Sequence, residues 1–289
     1  MLIAQITDTH VVAPGMRAYQ DQVDTNAMMA KAIDRLNALQ PRPDCVIVTG
    51  DLTDHGTAEE YAELVRQLAR LELPFHLAIG NHDDRETMRT SLDYPHLAGV
   101  GAFVQYTVEE HPVRLVVLDS TSDLHHMGEF CEERRAWLEA RLAEAPDRPT
   151  IVALHHPPFD IGIAMMDAAG PAWAQGLVKT LARFPNIERV LCGHIHRPIQ
   201  TLVGGRLASV CPSTAHQVTL DLGVETSEGA FFEMEPPGFQ LHLWRGGRMV
   251  THGAPIERYP AVFPLSAEML AKMRAISPEQ LMMKKDLVF

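Results

Sequence analysis

Five short blocks carry the residues best suited to chemistry: Asp8-Thr9-His10, Gly50-Asp51, Gly80-Asn81-His82-Asp83, His155-His156-Pro157 and Gly193-His194-Ile195-His196. Together they mix imidazole nitrogens with carboxylate and amide oxygens and contain no cysteine. Such a set suits divalent manganese, iron(II), cobalt or zinc in open, catalytic coordination, whereas a closed structural zinc site favours thiolates. Two cations roughly 3.5–4 Å apart repel. A carboxylate between them offsets that repulsion, and Asp51 is the candidate bridge. A pair of this kind activates water and clamps phosphoryl oxygens, so hydrolysis of a phosphate ester is the chemistry implied.

Positioning these groups is a task for strands. Each block follows a run that reads as one: Leu2 to Thr7, Cys45 to Thr49, Phe75 to Ile79, Ile151 to Leu154, and Glu188 to Cys192. In open α/β sheets the crevice beyond the carboxyl ends of the strands exposes side chains to ligands. If the chain stays extended past each strand, alternate residues point the same way, and Asp8 with His10, or His194 with His196, would pinch one volume. Glycines before Asp51, Asn81 and His194 would let the backbone turn without a clashing Cβ. Each signal alone is common, and the joint order carries the reading. Of the 15 histidines, His76, His96, His111, His125, His126, His242 and His252 are read as surface or packing residues.

The five blocks resemble those of the calcineurin-like metallophosphoesterase superfamily, whose pattern is D-x-H, G-D, G-N-H, H and G-H-x-H. Residues 1 to about 216 are most similar to its bacterial glycerophosphodiesterases and class III cyclic-nucleotide phosphodiesterases, through Gly80-Asn81-His82-Asp83-Asp84, His155-His156-Pro157-Pro158 and Ala215-His216-Gln217-Val218. The resemblance implies a four-layer αββα sandwich. It implies one metal held by Asp8, His10, Asp51 and His196, and the other by Asp51, Asn81, His155 and His194. His156 would stand behind the ligands, and Asp54 would orient His82 by a hydrogen bond. Catalysis would be attack by a metal-activated hydroxide, with His82 donating to the leaving or an equatorial oxygen. Purple acid phosphatases have a tyrosine where this chain has Asp54, and protein serine/threonine phosphatases an arginine where it has His55, so a redox-tuned iron pair and phosphoprotein substrates are disfavoured.

With 289 residues, 46% of them hydrophobic, the chain can bury roughly three quarters of its unfolded surface in one large domain. The four cysteines, Cys45, Cys131, Cys192 and Cys211, are widely spaced and fit reduced thiols in a cytoplasmic protein. No apolar run approaches a membrane span, and no basic segment followed by an apolar core opens the chain. A formal net charge of −12 argues against a nucleic-acid polymer as partner, which needs clustered lysine and arginine.

Helical stripes run through Asn26 to Gln40 and Ala58 to Leu71, and strand-helix alternation up to Ile79 implies parallel pairing with right-handed crossovers. Two strands between Phe103 and Leu118, helices near Glu132 to Ala145 and Ala172 to Phe184, and the last two strands named above imply a second sheet facing the first. Gly229 to Thr251 reads as a β meander with a hairpin at Gly246-Gly247. Residues 1–257 are thus expected to form the catalytic domain. Residues 258–289, with Met269, Met273, Met282 and Met283 around a helix from Ser266 to Ala275, would form a strap on that domain or on a neighbouring subunit of a dimer or higher oligomer.

Loops should supply the substrate contacts. Val12 to Asp24 with Arg17 and Tyr19, Phe159 to Asp167, and Thr214 to Gln217 with His216 are the candidates, beside Asn81 and His82. The expected activity is cleavage of a small phosphodiester. A phosphomonoesterase is the near competitor, since one two-metal core serves both ester classes. A non-catalytic scaffold is the distant one, because all the ligands implied by the resemblance are present.

Overall fold

Two sheets carry every one of the five blocks. A computed structural model of the chain describes residues 1–97, 101–223, 231–260, 262 and 266–276. In chain order the elements are β1 (Leu2–Ile6), α1 (Ala18–Asp21), α2 (Thr25–Asn37), β2 (Cys45–Thr49), α3 (Ala58–Leu68), β3 (Phe75–Ala78), α4 (Arg85–Ser91), β4 (Tyr106–Val108), β5 (Arg114–Val117), α5 (Glu132–Ala143), β6 (Thr150–Ala153), α6 (Gln175–Arg183), β7 (Ile187–Cys192), β8 (Ile199–Val203), β9 (Arg206–Val210), β10 (Gln217–Val218), β11 (Phe232–Glu233), β12 (Gly238–Arg245), β13 (Arg248–Pro255) and α7 (Ala267–Ala275).

The first sheet has the order β13-β12-β1-β2-β3 and the second β4-β5-β6-β7-β9-β8. β1, β2 and β3 pair in parallel, as do β5, β6 and β7, so their carboxyl ends lie side by side. Fully buried strands such as Cys45-Val46-Ile47-Val48-Thr49 have apolar side chains on both faces, which is why they read as unbroken runs. Ile3, Ile47, Val117 and Ile151 meet between the sheets. Burying each such side chain contributes about 1.5–3 kcal/mol. The outer faces are covered separately: Met29, Ile33 and Leu64 from α2 and α3 pack on the first sheet, and Leu138, Leu142, Leu177 and Leu181 from α5 and α6 on the second. That is the four-layer αββα sandwich.

Local signals fix the helix starts. Asp24 caps α2 by accepting from Ala27 N, and Thr57 with Glu60 forms a capping box on α3. Asp84 caps α4 through Thr87 N at 2.8 Å, while Asp83 accepts from Leu52, Thr53 and Gly80 backbone N–H groups. The two aspartates after His82 therefore shape the loop itself.

Two features depart from the sequence reading. β12 and β13 do form the hairpin expected at Gly246-Gly247, but β12 adds antiparallel to β1, so the hairpin extends the first sheet and is no independent meander. The β8–β9 hairpin, turning at Gly204-Gly205, went unforeseen. The start of the expected meander, residues 229–230, and Met282 and Met283 lie outside the described residues. The chain divides into two units, 1–257 and 258–289, and the second contains α7. Among the described residues no helix is long and apolar enough to cross a membrane.

Candidate metal centre

Past the strand ends the chain does not stay extended. Asp8, His10, Asp51, His194 and His196 all have left-handed backbones, with φ of 51, 42, 47, 72 and 60°. This corrects the expectation that alternation along an extended segment pairs Asp8 with His10 and His194 with His196: tight left-handed turns bring Asp8 and His10 together with Asp51 and His196, while His194 groups with His155 and His156. Each such residue costs on the order of 1–3 kcal/mol, and strain of this kind persists where surrounding structure fixes it. Here it is fixed by Asp8 N to Gly50 O at 3.1 Å, His10 N to Asp51 O at 3.0 Å, and His194 N to the Asp8 carboxylate at 3.1 Å. Gly50, at φ 92°, lies so close to His155 that a Cβ there would stand 2.5 Å from the ring's Nδ1.

The imidazoles are oriented from behind. His155 Nδ1 donates to Thr49 O at 2.9 Å, His196 Nδ1 to His216 O at 3.0 Å, and His10 Nδ1 to the Asp54 carboxylate at 3.1 Å. With Nδ1 protonated, each Nε2 bears a lone pair. His10 Nε2 and His196 Nε2 face one another at 3.3 Å, with Asp8 Oδ1 3.1 Å from His196 Nε2 and Asp51 Oδ2 3.8 Å from His10 Nε2. On the other side His155 Nε2 stands 3.3 Å from Asp51 Oδ2 and 3.0 Å from Asn81 Oδ1. The Asn81 amide nitrogen meets His126 Nδ1 at 3.1 Å, which turns Oδ1 toward His155. Acceptors converge on acceptors in both clusters. A cation in each resolves that repulsion, so the donor set fits divalent metal ions and Asp51 lies between the two positions.

The charges agree with this arrangement. Burial alone would raise Asp51, but His155 and His82 outweigh it and hold the carboxyl well below its usual range. Asp8 is likewise lowered, burial being overcome by His196. Burial pushes His10 down against the pull of Asp54, and pushes His194 far down with His156 and His155 adding to it. His155 is the exception: burial opposes its charge, yet Asp51 pulls it up to about 9.

His156 is occupied on both sides. Its Nε2 donates to His126 O at 3.1 Å and its Nδ1 meets Ser120 Oγ at 2.9 Å, while burial pushes it down to about 3. It stands behind His155. Asp54 meets His82 through its backbone carbonyl, which accepts from His82 Nδ1 at 2.8 Å, while its carboxylate serves His10.

Above the clusters opens a cavity of 350 Å³ lined by His10, Asp51, Asn81, His82, His194 and His196 on its floor and by Tyr19, His126, Met127, Met165, Met166, Phe231 and Phe232 on its walls. Of the expected substrate contacts, Asn81, His82 and Tyr19 line it. His216 does not: it is fully buried, with Tyr19 and Phe232 packed edge-on at 4.3 and 4.5 Å. Arg17 lines an adjoining cavity that shares Tyr19, Asn81, His82 and His126, and its guanidinium donates to Asp21 O and Gln22 O at 3.0 and 3.1 Å. α1 is a left-handed turn in which Tyr19, Gln20 and Asp21 have φ of 53, 56 and 63°, and it aims Tyr19 at His10 and His216. His126, expected to be a surface or packing residue, is exposed yet lines the cavity and touches Asn81. Its place depends on a loop that periodicity does not describe.

A profile of calcineurin-like phosphoesterases matches residues 1–198. A probable glycerophosphodiester phosphodiesterase of Arcobacter nitrofigilis is 34% identical over 270 residues, covering 93% of this chain and 98% of that protein. A 3',5'-cyclic adenosine monophosphate phosphodiesterase of Escherichia coli is 32% identical over 215 residues, 74% of this chain and 76% of that protein. Among solved structures, a dimetal phosphatase from Danio rerio has the same fold at a TM-score of 0.63 and 14% identity, covering 89% of this chain and 96% of that one.

Proposed function

The chain belongs to the calcineurin-like phosphoesterase family, and from that premise we propose that it is a phosphodiesterase of small diesters, either glycerophosphodiesters or 3',5'-cyclic nucleotides. Asp8, His10, Asp51 and His196 would hold one divalent cation, and Asp51, Asn81, His155 and His194 the other. Manganese, iron(II), cobalt and zinc all suit these donors. Such a pair, when bound, supplies an activated water and electrophilic stabilisation of phosphoryl charge. The observation that carries the reading is the 3.3 Å approach of two lone-pair nitrogens, His10 Nε2 and His196 Nε2, between two anionic carboxylates.

The chain's own residues do the rest. His82 gives Nδ1–H to Asp54 O, so its Nε2 is left to face the cavity and to pass a proton to the departing oxygen. Burial disfavours the charged ring, but Asp51 and the Asp54 carbonyl outweigh it and raise His82. Asn81 aligns one phosphoryl oxygen. Tyr19, Phe231, Phe232, Met165 and Met166 offer an apolar wall on which the alcohol part of a diester can rest, and it is this second side of the cavity that favours diesters over monoesters.

Steady-state rates on metal-loaded protein with matched aryl mono- and diesters test the proposal, followed by cyclic AMP and glycerophosphoethanolamine. A strong monoester preference overturns it. Four free thiols support a cytoplasmic setting. Residues 258–289 form a separate unit that we propose as a strap on the catalytic domain or on a neighbouring subunit of a dimer or higher oligomer, an assembly that a monomeric mass in light scattering would rule out.

A further inference from the structure

At the amino ends of β2 and β3, opposite the catalytic edge, a second group of metal-binding side chains converges. Cys45 opens β2, His76 is the second residue of β3, and His111 lies in the turn between β4 and β5. One donor atom from each lies within 4.8 Å of the other two. Cys45 is fully buried, and His76 is 7% exposed.

Among the described residues, one nitrogen of His76 has no partner. Its Nδ1 lies 3.2 Å from the Tyr94 hydroxyl, and its Nε2 is buried without a partner. Tyr106 donates its hydroxyl proton to Leu77 O at 2.8 Å, which leaves Tyr106 Oη at 3.2 Å and Phe75 O at 3.3 Å as acceptors for the Tyr94 proton in the tautomer the proposal adopts. Tyr94 then accepts from His76 Nδ1–H, and Nε2 carries a buried lone pair. A buried polar atom left without a partner is costly, and a site that supplies one explains it.

We propose that Cys45, His76 and His111 form a second metal site, separate from the catalytic pair and selective for a thiophilic divalent cation, zinc foremost. Thiolate and imidazole donors are the zinc set that the catalytic blocks lack. With bonds of about 2.0–2.3 Å, tetrahedral geometry holds ligand atoms roughly 3.3–3.7 Å apart, so the three need to close by about 1 Å. The carboxylates of Asp44 and Glu110 act on Cys45, and that of Glu110 on His76, supplying a negative field; Glu110 or water can complete the coordination. Binding releases the Cys45 proton to solvent. Cys45 and His76 belong to the first sheet and His111 to a turn of the second, so the cation acts as a clamp between the sheets.

Cobalt(II) titration of the metal-stripped full chain tests this. The catalytic blocks contain no cysteine, and Cys131, Cys192 and Cys211 are separated from the new site by the Cys45→Ala comparison, so the part of the sulfur-to-cobalt charge-transfer absorption that depends on Cys45 reports the new site. The expected result is that band on wild-type protein, displaced by zinc, with a zinc-dependent rise in Tm. Cys45→Ala should lose both while keeping diesterase activity. His111→Ala, at a partly exposed turn, should weaken the cobalt affinity behind the band by roughly tenfold or more. Absence of the band in wild-type protein overturns the proposal. So does a band that persists in Cys45→Ala, or one of unaltered affinity in His111→Ala.

Discussion

The carboxylate of Asp54 accepts the Nδ1–H of His10 at 3.1 Å, with both groups buried. It therefore fixes the tautomer that points His10 Nε2 at His196 Nε2, where the proposed first cation would sit. Removing the charge but not the shape, as in Asp54→Asn, should weaken divalent-metal affinity by about 10- to 100-fold, the usual cost of losing such an orienting partner. His82 is held by the Asp54 backbone and should be unaffected, so turnover should recover at saturating metal. Equilibrium dialysis with rates measured across a metal series checks both halves.

His82 separates from the ligands by the same logic. Its backbone N–H binds Asp51 Oδ1 at 2.9 Å and its ring stands in the cavity, so His82→Ala removes a proton donor without removing a donor to metal. Turnover should fall by roughly 100-fold or more with metal content unchanged by elemental analysis. Poor leaving groups should suffer most, because they need the proton most. An equal loss for activated aryl esters and alkyl esters counts against proton donation.

Gly50 tests the packing beneath the site. In Gly50→Ala the new Cβ would meet His155 Nδ1 at 2.5 Å and would sit on a left-handed backbone. The backbone alone costs about 1–2 kcal/mol. If His155 holds the proposed second cation, displacing it should also empty that position, and bound metal should drop from two ions to one per chain. Calorimetric unfolding and metal stoichiometry on one preparation measure the two effects together.

How far the sequence discloses the molecule follows from the kind of interaction involved. The five strands before the blocks are legible because parallel strands buried on both faces leave apolar runs that end at Asp8, Asp51, Asn81, His155 and His194. β8 escapes because it is half exposed: Gln200 and Leu202 face outward, so neither period stands out, although Gly204-Gly205 marks its turn. The pairing of β12 with β1 joins residues more than 230 apart, and no local pattern encodes it. The left-handed turns at the ligands are hidden for a related reason: tertiary hydrogen bonds impose them against propensity. Asp54 shows the same limit in miniature, since which of its oxygens serves His82 depends on backbone direction, and residue type does not record that.

His242 offers a test of stability away from the metal. It is fully buried on β12, its Nε2 donates to Gln5 Oε1 at 3.0 Å, and its Nδ1 accepts from Thr251 Oγ1 at 2.9 Å. Burial, with Arg189 adding to it, pushes the ring down to about 3. An unfolded histidine titrates near 6.5, so between about 3 and 6.5 the unfolded chain binds the extra proton. The stability that neutral His242 contributes is thus present above about pH 6.5 and declines as pH falls, by about 1.4 kcal/mol per unit. His242→Gln keeps a donor toward Gln5 and removes the titration. Denaturant unfolding at pH 7 and pH 5 should show a variant less stable at pH 7 whose pH dependence is shallower than that of wild-type protein by about this slope. Parallel pH profiles would show that His242 is protonated in the folded chain and that the burial argument fails.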